Sequence, residues 1–161
     1  MTEVNTPEIE KLVINLKEFY RLLSHIGSHK SLSLLYESQL TMPQIITLHY
    51  VFHCGRVSIS AISETLQLSL GATSHLVDKL VRKGYLSRDE NPEDRRVRHI
   101  SITEMGADFI TRLNESRTYD MANALALLDS EGIEKLTGVI IEVNEKLKNR
   151  YNNEGKGLCR E

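Results

Sequence analysis

At 161 residues the chain has the length of one domain, or of one domain with helical extensions. Its apolar content is 40% with no tryptophan, which suits a helical protein built on Leu, Ile and Val, and no run of about 18 apolar residues offers a membrane span. A formal net charge of −2 excludes a uniformly basic binder of polyanions, and two distant cysteines without a Cys-x-x-Cys partner indicate neither a zinc ribbon nor a disulfide framework.

The opening MTEVNTPEIEK is polar and acidic, without a signal-peptide pattern. The chain is therefore expected to be cytoplasmic, with residues 1–6 disordered. From Pro7, a favourable first-turn residue, a helix is expected through EIEKLVINLKEFYRLLSHIGSHKSL. Ile9, Leu12, Val13, Leu16, Phe19, Tyr20, Leu23 and Ile26 give it a wide apolar stripe. Such a stripe needs a cover, and helices of a second subunit are a natural candidate. Gly27 and Gly55 are the weak points of their segments. Thr41 can cap the next helix, TMPQIITLHYVFH, with Pro43 in its first turn. Arg56-Val57 is short enough to be a small strand.

Between Ser58 and Thr103 lies the stretch on which the functional reading depends. Ser58 or Ser60 can cap a short helix with Ile59, Ile62 and Leu66 at helical spacing. Ser69 can cap a second helix reaching about Lys83, with Leu76, Val77 and Leu80 buried and Thr73, Ser74, His75 and Lys79 near the other face. Gly84 ends it, just after Arg82 and Lys83. Two helices so joined read as a helix-turn-helix whose second helix can enter a DNA major groove. Residues 85–88 and 97–102 then alternate apolar and polar, as half-buried strands do. Asn91-Pro92-Glu93-Asp94 makes the turn between them, and Arg95 and Arg96 follow at its tip. A hairpin with arginines at its tip is a wing, able to place a guanidinium in the minor groove.

Thr103-Glu104 opens a long helix with Phe109, Ile110, Leu113, Met121, Leu125 and Leu128 apolar. Asp129 or Ser130 caps a last helix carrying Ile133, Leu136, Ile140, Val143 and Leu147 in a 3-4-3-4 pattern. Packing between two subunits best explains that stripe. The expected division is 1–36, an N-terminal helix contributing to dimerisation; 40–103, a winged helix-turn-helix core; 104–150, C-terminal dimerisation helices; and 151–161, a flexible tail. Charge follows the same division. From Lys79 to Arg98 seven basic side chains face four acidic ones, and the helical ends carry the compensating carboxylates.

Asp94-Arg95-Arg96, five residues, then Ile102-Thr103 resembles the Asp-x-Arg-x5-Leu-Thr signature of the MarR (multiple antibiotic resistance regulator) family, with Ile for Leu. The resemblance extends to LTMPQIITLHYV upstream and through Gly106 downstream, over roughly residues 8–150. It implies a mainly α fold with a small β-hairpin wing, a homodimer held by the first and last two helices, and a role as transcriptional regulator, mostly repressing. It implies further that Arg96 sits at the minor groove with Asp94 supporting it, Arg95 and Arg98 contacting phosphates. Ser69, Thr73, Ser74, His75 and Lys79 are the expected base or phosphate contacts of the groove helix, on a pseudo-palindromic double-stranded operator. The family's small anionic or phenolic effectors bind between the dimer helices and the DNA-binding lobe. Tyr20, Arg21, His25, His49 and Tyr50 are the candidates to line that pocket.

His25 and His29, and His49 and His53, are spaced i, i+4, as two imidazoles on one metal would be. A zinc-sensing branch of the family makes a zinc-responsive regulator the alternative, although the region after the wing offers Asp108 and no histidine. A winged helix that docks on proteins without touching DNA is the other alternative. Cys54 is read as a buried structural thiol. No nucleotide-binding Gly-rich loop, Gly-x-Ser-x-Gly or His-Glu-x-x-His occurs, so neither an enzyme nor a resident cofactor is expected.

Overall fold

The computed structural model describes residues 6–27, 29–90, 98–153 and 159. Its elements run α1 (Thr6–Gly27), α2 (His29–Ser38), α3 (Met42–Cys54), β1 (Val57–Ser58), α4 (Ile59–Leu66), α5 (Leu70–Arg82), β2 (Leu86–Glu90), β3 (Arg98–Ile102), α6 (Glu104–Leu125) and α7 (Ser130–Asn153). The expected single first helix is two, α1 and α2, divided after Gly27. The last helix runs to Asn153, so the boundary at 150 falls inside it.

Polar side chains set most helix starts. Gln44 Oε1 accepts from the Thr41 amide before α3, the Ser58 hydroxyl accepts from Ala61 N before α4, and Ser69 Oγ accepts from Ala72 N before α5. Thr103 Oγ1 does the same for Gly106 N before α6, and Asp129 Oδ1 for Gly132 N before α7. Each satisfies an amide that the helix leaves without an internal partner. Gly84 takes φ 81°, the left-handed conformation that ends α5 and turns the chain into β2.

The sheet is antiparallel with order β1-β3-β2. Val57 pairs Ile100 and Ser58 pairs His99 on one side; Leu86 through Glu90 pair Ile102 back to Arg98 on the other. The core lies between this sheet and helices α3 to α6. Leu48, Val51, Ile62, Val77, Leu80, Leu86, Ile100, Ile110 and Leu113 are its most buried members. Apolar area removed from water at this centre is what holds the winged core together.

The helices outside the core are less covered. α1 packs along α6, and α2 also rests on α6. α7 makes no substantial contact with another element among the described residues. Ile9, Leu12, Leu16 and Phe19 on α1, and Ile133, Ile140, Val143 and Leu147 on α7, remain exposed.

Cys54 is not a free thiol. Its sulfur is bonded to Cys159, which ties the far end of the chain to the C-terminus of α3. This corrects the expectation of unpaired cysteines. The sequence separation of 105 removes any local spacing signal.

Candidate nucleic-acid interface

On α5, Thr73, Val77 and Leu80 turn inward. Thr73, expected on the groove face, is instead fully buried, its Oγ1 donating to the Ser69 carbonyl at 3.0 Å. A threonine whose hydroxyl bonds back to the preceding turn presents mainly its methyl to the core. Ser74 is half-buried and accepts from Arg88 Nη2 at 3.4 Å, so it faces the wing root. Ser69 is exposed, with its hydroxyl already serving the Ala72 amide. His75, Lys79 and Arg82 lie away from the buried stripe: His75 is exposed, and Lys79 and Arg82 keep their cationic ends on the solvent side of the helix. Leu70, at the leading end, is also exposed.

The wing is joined to this helix by a pair that the sequence pattern does not reveal. Arg88 on β2 sends Nη2 to Asp78 Oδ1 on α5 at 2.7 Å. Arg88 Nε is buried with no hydrogen-bond partner among the described residues. Across the sheet, Ser101 Oγ donates to Asp89 Oδ2 at 2.8 Å. Arg98 closes the β2–β3 ladder opposite Glu90. Asp94, Arg95 and Arg96 lie outside the described residues, as does the side chain of Arg98.

Behind the helix, Lys83 donates from Nζ to the carbonyls of Ser38 and Gln39, at 3.4 and 3.0 Å. A cation on the last carbonyls of α2 complements that helix end. The other end of α2 is held too: Ser31 donates from its amide and its hydroxyl to Asp120 Oδ2 of α6, at 3.2 and 2.8 Å. α2 thus bridges α6 and the C-terminus of α5.

A cleft of about 910 Å³ opens beside this bridge, lined by Tyr20, Arg21, Leu23, Ser24 and His25 of α1, Ser31, Leu32 and Leu35 of α2, and Arg117, Asp120 and Met121 of α6. Three expected pocket residues, Tyr20, Arg21 and His25, are in its wall. His49 and Tyr50 are not: Tyr50 is buried in the core, and His49 is half-buried on α3. Arg21 is engaged by Glu18, Nε to Oε2 at 2.8 Å and Nη2 to Oε1 at 2.7 Å. That bond lowers the Glu18 carboxyl and raises the guanidinium. Arg117 and Asp120 are the cleft charges that sequence reasoning does not single out.

The histidine pairs fall differently on the helices. His25 lies in the last turn of one helix and His29 starts the next, so they do not share the single-helix spacing expected of them. His49 and His53 do share α3, with rings stacked at 6.2 Å between centroids, but Cys54 beside them is in the disulfide. Among the described residues no three His, Cys, Asp or Glu side chains are placed to hold a metal ion. Burial pushes the His49 imidazole below its ordinary value, and the charges of Arg117 and His53 push the same way. His49 Nε2 is buried without a hydrogen-bond partner among the described residues.

A capped helix with a cationic outward face, backed by a second helix and braced to a three-stranded wing, is the working part of a winged helix-turn-helix DNA-binding protein. Residues 40–97 match the MarR family. The HTH-type transcriptional regulator MhqR of Bacillus subtilis (strain 168) is 27% identical over 143 residues, covering 88% of this chain and 95% of that protein. Among solved structures, transcriptional regulator Tm0710 of Thermotoga maritima superposes with a TM-score of 0.75 at 22% identity, over 89% of this chain and 98% of its own. A point mutant of S. aureus MepR, bound to an oligodeoxyribonucleotide, matches with a TM-score of 0.62 at 22% identity, over 82% of this chain and 97% of its own. Residues 40–97 are thus similar to the MarR family, and the curated relatives of the chain are HTH-type transcriptional regulators.

Proposed function

We propose that this protein is a cytoplasmic, homodimeric repressor, which grips a pseudo-palindromic operator and is released by a small anionic or phenolic effector. Two copies of α5 occupy successive major grooves, with His75 and Lys79 toward bases and phosphates. The wings lie in the flanking minor grooves, where Arg96, supported by Asp94, reads groove width and Arg95 and Arg98 meet phosphates. The observation that carries the dimer is the pair of exposed apolar faces on α1 and α7, beside a winged core that is already closed. A lone subunit would leave that area in water, and contiguous apolar surface of this kind marks an interface. The oligodeoxyribonucleotide bound to the MepR mutant supports the operator role.

The effector reading rests on the cleft between α1, α2 and α6. Arg117 supplies a cation, and Leu23, Leu32, Leu35 and Met121 supply an apolar wall, the pairing that suits an aromatic acid or phenolate. Its α2 wall is the helix whose C-terminal carbonyls Lys83 holds. An occupant that shifts α2 therefore shifts α5, and it releases DNA to the extent that it favours the displaced spacing.

Sedimentation of the purified protein, followed by duplex binding across a salt series, tests the whole. A dimer is expected, with affinity falling steeply from low to moderate salt. A monomer at working concentration, or no binding to host genomic fragments at any salt, overturns the reading.

A further inference from the structure

The leading end of α5 carries a feature that neither folding nor charge explains. The Ser69 hydroxyl is occupied by Ala72 N, and its carbonyl accepts from both Thr73 N and Thr73 Oγ1. The side-chain hydroxyls at this end, Ser69 and Thr73, are therefore used within the helix. What faces outward is Leu70, 58% exposed, and next to it Gly71. A Cβ on Gly71 would meet nothing within 4 Å. Its φ is not positive, since only Gly55 and Gly84 take that conformation among the described glycines. Neither a turn nor a packing contact requires glycine here, and glycine lowers helix stability relative to alanine. The remaining physical reason for a bare backbone is close approach by something outside the chain.

Leu68, partly exposed just before the cap, extends the same apolar edge. In the major groove only thymine presents a methyl group, and apolar side chains are its partners. We propose that Leu70 and Gly71 form a specificity-determining edge for thymine: Leu70 packs on thymine 5-methyl groups, and Gly71 lets the α5 backbone seat closely enough for that contact. This rests on the DNA-binding reading above and adds which base the helix end selects.

The test uses a duplex that the wild-type protein enriches from a random-sequence pool, with each thymine replaced in turn by deoxyuridine, which deletes only the methyl. At one or two positions in each half-site, the replacement weakens wild-type binding by about fourfold, the transfer worth of one buried methyl. Leu70→Ala binds the thymine and deoxyuridine duplexes alike. Gly71→Ala keeps or raises the melting temperature, since its Cβ has room, yet loses about tenfold in affinity for the thymine duplex, a loss of the size set by one base-level mismatch. Enrichment without any deoxyuridine penalty, a penalty that survives Leu70→Ala, or full affinity in Gly71→Ala overturns the proposal while leaving DNA binding intact. Failure to enrich any duplex overturns the DNA-binding reading and this edge with it.

Discussion

Arg88 on the first wing strand is bonded to Asp78 on the groove helix, Nη2 to Oδ1 at 2.7 Å. The pair is partly exposed, so its direct stabilisation is about 0–1 kcal/mol. Its larger effect is geometric, because it fixes the angle between α5 and the wing, the two parts that the proposed complex sets in neighbouring grooves. It also places a carboxylate on a helix whose other charged side chains are His75, Lys79 and Arg82. Asp78→Asn is therefore expected to raise affinity for scrambled duplex and to lower the ratio of specific to non-specific binding about fivefold, the lower end of the cost of a single misfitted base pair. Gel-shift titrations on enriched and scrambled duplexes at one salt concentration check this; an unchanged ratio removes the pair from the reading mechanism.

Most of the winged core is legible in the sequence because its signals are local. Caps at Thr41, Ser58, Ser69 and Thr103 and apolar spacing at Ile62, Val77 and Leu80 need no partner from elsewhere in the chain. Thr73 is misplaced by residue type, which suggests a polar face, whereas its hydroxyl is satisfied inside its own helix. The α1–α2 division falls just after Gly27, the weak point of that segment, but a single glycine inside a helical pattern does not by itself end a helix. Asp78–Arg88, Asp120–Ser31 and Cys54–Cys159 join residues of different segments, and no one-dimensional period reports such pairs.

Arg96→Ala tests the wing tip. On the proposed reading it acts on DNA and not on folding, so the melting temperature should stay unchanged. Removing the guanidinium that the proposed complex sets in the minor groove should lower operator affinity about tenfold, within the ~1–3 kcal/mol typical of one lost specific contact. Equal titration curves for the two proteins at fixed salt would take the wing out of recognition.

His49 gives stability a dependence on pH. Burial lowers its folded-state value below the unfolded one, with Arg117 and His53 adding to the shift. Between the two values the unfolded chain binds more protons, so stability is fully present above the ordinary histidine range, about 6.5. It is lost as pH falls through the lower, folded value. His49→Gln should flatten the fall in melting temperature between about pH 7 and pH 5.5 relative to wild type. Parallel curves for the two proteins would show that other groups carry the acid sensitivity.

The Cys54–Cys159 bond joins residues 105 apart in sequence. Cross-linking so long a stretch restricts the unfolded chain, with a typical stabilisation of about 2–4 kcal/mol. Reductant should lower the melting temperature of the wild type and leave Cys54→Ser unaffected. Thiol titration under denaturing conditions should find free thiols only after reduction. Reactive thiols before reduction, with no thermal shift, would contradict the bond.

Gly106 marks the tightest contact between α6 and the wing root. A Cβ at this position would lie 2.2 Å from the Tyr85 carbonyl oxygen and 2.8 Å from Ile102 Cγ1. That carbonyl is not free to retreat, because it accepts from Thr103 N at 3.1 Å and Thr103 Oγ1 at 3.0 Å. Thr103 in turn caps α6 through Gly106 N. Alanine must therefore push the whole helix outward, and Phe109, Ile110 and Leu113 leave their places in the core with it. Gly106→Ala is expected to destabilise by about 3 kcal/mol, the upper part of the overpacking range. Urea unfolding should register it as a lower midpoint with an unchanged slope, the mark of lost stability without a change in surface exposed. A midpoint equal to wild type would mean that α6 and β2 can separate at no cost, contrary to the bonds that join them.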